Sequence, residues 1–162
     1  MKKCVFAGTF DPPTNGHKTI VENCLEIFDE VVVALLVNRD KEPLFTLEER
    51  TRLLTKLFNR HKNVRVISFD GAVVDLLEKE NTPFYVRGVR NTIDFEYENA
   101  NWFANKKLKK DIITLYIPSP QEGLHISSSL VRNSYAFNKD FKELIPVEIY
   151  GDIQKLLKDK NV

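Results

Sequence analysis

A histidine set behind a loop of two glycines and two prolines is the first place where this chain could do chemistry. The run is Gly8, Thr9, Phe10, Asp11, Pro12, Pro13, Thr14, Asn15, Gly16, His17. It follows a short apolar stretch and precedes a segment of helical period. The glycines therefore let backbone N–H groups approach an anion just ahead of a helix N-terminus. His17 falls in the first turn of that helix, where the helix dipole disfavours the imidazolium and predicts a lowered pKa. A neutral imidazole still donates one hydrogen bond to a phosphate oxygen. The plainer alternative is a strand-to-helix connection with His17 at the surface. The loop is neither GxxxxGK[ST] nor GxGxxG, so a P-loop is excluded and dinucleotide binding has no support.

Three more segments offer groups suited to phosphate. Residues 38–43 place Lys41 beside a proline, where it could reach the same anion, with a solvated loop lysine as the alternative. Arg87, Gly88, Val89 and Arg90 close an apolar run. Two guanidinium groups in a glycine turn against such a run are costly without an anion, and each offers bidentate contacts to oxygen. Ile126, Ser127, Ser128, Ser129, Leu130 and Val131 read as a helix start whose hydroxyls either cap the helix or bind phosphate oxygens.

The elements that must hold these groups alternate along the chain. Short apolar runs at 3–7, 30–37, 64–69, 83–87 and 112–117 predict five strands, each closed by Gly, Pro, Asn or Ser. Ile20, Val21, Cys24, Leu25 and Phe28 recur at helical spacing after the first. Thr46 followed by Glu49 predicts a capping box, with Leu47, Leu53, Leu54, Leu57 and Phe58 as the buried stripe. Further helices are predicted at about 72–80, at 92–108, after Ser127 and after Pro146. The alternation specifies an α/β, Rossmann-like, doubly wound parallel sheet of five strands with C-terminal helices, a single domain over residues 1–162. Its crevice should lie outside the carboxyl ends of the first and fourth strands, where the loops above emerge.

Composition narrows the partners. With 24 basic and 23 acidic residues the net charge is +1, so no global field holds nucleic acid or a membrane surface. Lys106, Lys107, Lys109 and Lys110 read as a solvated helix end, and His61 as surface. Cys4 and Cys24 sit in apolar stretches without metal spacing, which suits a reducing cytoplasm. No signal peptide or membrane span is expected.

In the segments GTFDPPTNGH, Lys41 ahead of PLFTLEER, FYVRGVRNTIDFEYE and HISSSLVR, the chain closely resembles the bacterial phosphopantetheine adenylyltransferases, within the HxGH superfamily of nucleotidyltransferases. The match runs in order along nearly the whole chain. The superfamily tetrapeptide has His at both ends, and Thr14 stands in the first place here. The phosphopantetheine branch also carries Thr. The resemblance implies transfer of AMP from ATP to 4′-phosphopantetheine, giving dephospho-coenzyme A and pyrophosphate. An acceptor phosphate is already a nucleophile, so positioning and charge stabilisation suffice for in-line attack without a covalent enzyme intermediate.

By the same resemblance Thr9 orients the attacking phosphate, while His17, Lys41 and Arg90 stabilise charge. Phe10, Gly88, Val89, Glu98 and the run Gly123, Leu124, His125, Ile126, Ser127, Ser128, Ser129 should line the ATP site, with Ser128 and Ser129 on the terminal phosphates. For His125, loop filling is the alternative to contact with adenine. Lys41, Val73 and Arg87 should meet phosphopantetheine, with Asn105 a partner for its amides; for Val73, plain core is the alternative. Magnesium would enter with ATP, with no dedicated metal site. A homohexamer and feedback by coenzyme A are implied in the same way. Two rivals remain at this stage: an adenylyltransferase for nicotinate or nicotinamide mononucleotide, and a sensor that binds ATP without turnover.

Overall fold

In a computed structural model the chain forms one five-stranded sheet with helices on both faces. The structure describes residues 1–37, 42–119, 123 and 125–160. The strands are β1 (Lys3–Gly8), β2 (Glu30–Leu36), β3 (Val64–Phe69), β4 (Phe84–Val89) and β5 (Ile113–Pro118). The helices are α1 (Asn15–Leu25), α2 (Leu47–Leu57), α3 (Val73–Lys79), α4 (Thr92–Leu108), α5 (Ser128–Ala136) and α6 (Val147–Asp159). The strand order is β3-β2-β1-β4-β5, and every neighbouring pair is parallel. The order reverses between β1 and β4, which leaves a crevice beyond their carboxyl ends.

The period of two along a strand divides the core. Cys4 and Phe6 of β1 join Val31, Val33 and Leu35 of β2 on one face, covered by α1, α2, α5 and α6. Val5 and Ala7 join Val32 and Ala34 on the other, beneath Val73, Val74, Leu76 and Leu77 of α3. The interior strand β2 is therefore buried on both faces and reads as an almost unbroken apolar run.

Local chemistry sets the helix starts. The Thr46 hydroxyl accepts the Glu49 N–H at 3.2 Å, and the Glu49 carboxylate accepts the Thr46 N–H at 2.8 Å, closing the predicted capping box. α1 is capped at Thr14, with His17 three residues on in the place that a capping box gives to Glu or Gln. α4 begins where Asn91 accepts the Asp94 N–H at 2.9 Å.

One difference from the sequence-based expectation bears on the site. β4 continues through Gly88, which was read as a turn, and ends at Val89. A Cβ at Gly88 would lie 2.2 Å from Ile20 Cδ1, so a larger residue there would require the Ile20 side chain of α1 to shift. The same glycine also borders the crevice at the strand end. In addition, α4 spans the predicted residues but buries only Glu98, leaving Phe103 and Leu108 more than half exposed.

Candidate active site

The crevice is a cleft of about 800 Å³ with three walls: the β1–α1 loop, the end of β4 with α4, and the start of α5. The first wall is fixed by a buried acid and a buried base. Asp11, 5% exposed, accepts the N–H groups of Leu44 and Phe45, both at 2.9 Å. Arg50, also 5% exposed, donates Nη1 to the Thr9 carbonyl at 2.7 Å and Nε to the Phe45 carbonyl at 2.9 Å. These bonds bind the loop to the segment that leads into α2.

Phe10 sits at φ 51, a conformation that costs a non-glycine residue about 1 kcal/mol or more. Its ring is buried edge-on against Phe6 at 5.4 Å and His17 at 4.9 Å, and that packing holds the strained residue.

His17 has its tautomer set by the backbone. The Thr14 N–H donates to His17 Nδ1 at 3.0 Å, and an N–H has no other role to play. Nδ1 is therefore an acceptor, and the ring proton sits on Nε2. The Thr14 hydroxyl stands 3.1 Å from the same Nδ1. Burial, then the positive charges of Arg90 and Arg87, lower the His17 pKa to about 4. The fall was expected from the helix dipole, and its causes are burial and the two arginines. At neutral pH the ring is an uncharged donor through Nε2.

On the second wall, Arg87 holds Glu98 with two hydrogen bonds, Nε to Oε2 at 2.8 Å and Nη2 to Oε1, while its Nη1 donates to the Ala7 carbonyl at 2.7 Å. Burial works against the Arg87 cation, but Tyr85 and Glu98 beside it raise its pKa above the ordinary arginine value. Arg90 is held by Asp94 at 2.8 and 3.3 Å. The cost of placing two arginines at this strand end is thus met in part by carboxylates of the chain itself.

On the third wall the serines divide their labour. Ser127 caps α5 by accepting the Leu130 N–H at 3.1 Å, and Ser128 donates to the Pro12 carbonyl at 2.8 Å. Ser129 accepts from Arg132 Nη2 at 3.1 Å. Arg132 also donates Nη1 to the Asp11 carbonyl and lies 3.6 Å from the Asp11 carboxylate.

Of the residues singled out in the sequence, Thr9, Phe10, His17, Arg87, Gly88, Arg90, Glu98, Ile126, Ser127, Ser128 and Ser129 line this cleft. Others lie elsewhere. Val73, the first residue of α3, is 8% exposed and packs in the core against β1 and β2. Val89 pairs with Pro118 at the strand end, and the Asn105 carbonyl accepts the Lys109 N–H in the last turn of α4. Gly123 is buried with its carbonyl accepting the Ile126 N–H at 3.0 Å, and His125 is exposed. Lys41 and Leu124 lie outside the described residues.

Sequence reasoning missed Arg132, Asp94 and the Asp11–Arg50 brace. Arg132 stands three residues after Ser129 on a predicted helix and so shares its face, a spacing that could have flagged it. Nothing local to Arg50 marks it, because its partner Thr9 is far away along the chain.

Comparison with known proteins agrees with this geometry. Residues 5–134 match the family described as cytidylyltransferase-like. A phosphopantetheine adenylyltransferase of Clostridium tetani (strain Massachusetts / E88) is 41% identical over 160 residues, 99% of this chain and 100% of that protein. Another, from Nautilia profundicola, is 39% identical over 151 residues, 93% of this chain and 98% of that one. The crystal structure of a candidate nicotinate-nucleotide adenylyltransferase from Vibrio parahaemolyticus has a TM-score of 0.71 at 22% identity, covering 99% of this chain and 94% of that chain, a likeness of fold. A cleft at the reversal of strand order, a fixed neutral histidine within it and identity along almost the full length together show that the chain belongs to the phosphopantetheine adenylyltransferases, nucleotidyltransferases of the cytidylyltransferase-like family.

Proposed function

We propose that the chain transfers AMP from ATP to the phosphate of 4′-phosphopantetheine, giving dephospho-coenzyme A and pyrophosphate, a step of coenzyme A biosynthesis. The observation that carries this is the meeting of Thr9, His17, Arg87 and Arg90 in one cleft, opposite the N-terminus of α5. An acceptor phosphate oxygen attacks the α-phosphorus as the bond to the bridging oxygen of pyrophosphate breaks, and that electron pair leaves with pyrophosphate. No protein nucleophile takes part.

His17 Nε2–H donates to an α-phosphate oxygen, and Arg90 and Lys41 neutralise charge there and on the leaving group. Thr9 and Arg87 hold the acceptor phosphate. Preorganised donors of this kind act most strongly where charge develops, and removing one costs about 10²- to 10³-fold. Mg²⁺ carried on the triphosphate of ATP would supply screening of its oxygens. Among the described residues no group of three His, Cys, Asp or Glu side chains converges to hold it.

The reading is tested by pyrophosphate release with ATP and 4′-phosphopantetheine. Turnover is expected with this acceptor and at background level with nicotinate mononucleotide; equal or faster turnover with the mononucleotide would overturn it. ATP binding without pyrophosphate from any pantetheine acceptor would favour the sensor instead.

The assembly proposed is a homohexamer. In support, Phe103 is 57%, Leu108 72% and Ile113 47% exposed along α4 and the edge strand β5, a grouping of apolar side chains typical of an interface. Light scattering should give six chains, and Phe103→Ser with Leu108→Ser should give smaller species. Coenzyme A, which shares the pantetheine arm of the acceptor, is proposed to inhibit in competition with it, which initial rates at varied acceptor would show. The proposed compartment is the cytoplasm. Its support is that Cys4 and Cys24 are buried free thiols and that no described helix is long and apolar enough to cross a membrane.

A further inference from the structure

A cleft that takes a triphosphate and a phosphomonoester would be expected to carry excess positive charge. Its described lining instead holds Arg87, Arg90 and Arg132 against Asp11, Glu42, Asp94 and Glu98. With His17 neutral, the described bases of the lining do not exceed its described acids, Lys41 lying outside the described residues. Each guanidinium also stands beside a carboxylate: Arg90 on Asp94, Arg132 3.6 Å from Asp11, and Arg87 on Glu98.

The three pairs differ in how free the acid is to leave. Asp11 holds two backbone N–H groups that order the first wall, so it is fixed. Asp94 is four residues from Arg90, a local pair that is partly exposed on both sides. Glu98 makes the parallel two-bond fork on Arg87 that a phosphate would make, with the same donors, Nε and Nη2. Arg87 keeps its third contact, to the Ala7 carbonyl of β1, so the guanidinium stays in place when the fork opens.

We infer that Glu98 occupies on Arg87 the place of the acceptor phosphate, so that this carboxylate is the anion displaced on binding and sets the affinity for the acceptor. The inference rests on the proposed acceptor site at Arg87. Charge balance supplies the physical reason. Arg87 without a counterion would be a partly buried, unpaired cation, which destabilises the empty protein. With Glu98 in place the empty cleft is neutral at that point, and phosphate exchanges one charge-assisted pair for another. Released Glu98 itself lines the cleft, where water or a ligand hydroxyl can solvate it. Glu98 is thus a positioning residue acting through Arg87, and it lowers phosphate affinity in exchange for an ordered empty site.

The test titrates inorganic phosphate into the full chain by calorimetry, with no ATP or pantetheine present. Glu98→Gln keeps the shape and removes the charge, and phosphate should bind roughly threefold to tenfold more tightly than to the unaltered protein. The gain should vanish when Arg87→Met is added. In turnover the KM for 4′-phosphopantetheine should fall by a similar factor without a rise in kcat. Unchanged or weaker phosphate binding by folded Glu98→Gln would overturn the inference, and so would a gain that survives Arg87→Met. If Glu98→Gln does not fold, a crystal structure of the unaltered protein soaked in phosphate decides. Arg87 forked on phosphate with Glu98 turned away supports the exchange, and Arg87 still on Glu98 refutes it. Phosphate titration needs no turnover, so failure of the pantetheine reaction alone would sink the proposed function and leave this result standing.

Discussion

The wall made by β1 and α1 and the wall made by β4 and α4 face the same cleft but are held by different forces. The first is braced by backbone hydrogen bonds to buried Asp11 and Arg50 and by rings packed around Phe10. Beneath it lies the larger core, with Leu53, Leu54, Ile149 and Ile153 at or near zero exposure. The second is held chiefly by ion pairs from one helix that buries a single residue. The contrast teaches a division of labour. Groups that must not move are placed on the apolar, hydrogen-bonded side, and groups whose partners exchange are placed on the ionic side.

Four changes would break or sharpen that contrast. The largest effect is expected at the fixed donor. His17→Ala should lower kcat by about 10²- to 10³-fold with the fold intact by circular dichroism, since it removes one preorganised donor. A wild-type rate would mean that the first wall does no chemistry. Next, Ile153→Ala in the larger core should cost about 2–5 kcal/mol in urea unfolding. The third, Thr46→Ala, should cost about 1 kcal/mol by loss of the α2 cap. The smallest is Leu108→Ala on the outer face of α4, within about 0.5 kcal/mol for the isolated subunit. If Leu108→Ala cost as much as Ile153→Ala, the two sides would not differ as described.

A titration sharpens the same point without mutation. The folded His17 pKa lies near 4 and the unfolded value near 6.5, so below pH 6.5 the unfolded chain takes up a proton that the folded chain resists. His17 therefore lowers stability progressively as pH falls from about 6.5 to about 4, and contributes no such loss above that window. NMR of the His17 ring should show its inflection near 4, and an inflection near 6.5 would place the ring in water.

Much of this was legible before the structure. Five strands and six helices appear close to their predicted ends because apolar period and caps are local signals, as at Thr46 and Glu49. The loop and serine run meet in one cleft because a doubly wound parallel sheet brings its strand-exit loops to one edge, at the expected reversal of strand order. What was not legible depends on distant partners. Gly88 was read as a turn because what keeps it in the strand, pairing with Ile117 of β5, lies far away in sequence. Arg87 and Glu98 were assigned to separate ligands, and only their side-chain directions show that they hold each other. Asp11 carries no role in the sequence reading, because its partners, the Leu44 and Phe45 N–H groups, lie more than thirty residues away.

The end of the chain also serves the cleft without touching it. Asn15, at the first turn of α1, donates to the Glu143 carbonyl at 2.8 Å, and Lys18, one residue past His17, holds Glu148 at 2.7 Å. The last helix and the turn before it thus act as a splint along the helix that carries the histidine. A chain cut ahead of residue 143 would keep every described strand and every described residue lining the cleft, yet α1 would lose both polar ties and the apolar cover of the last helix, leaving the imidazole on a less firmly held stem.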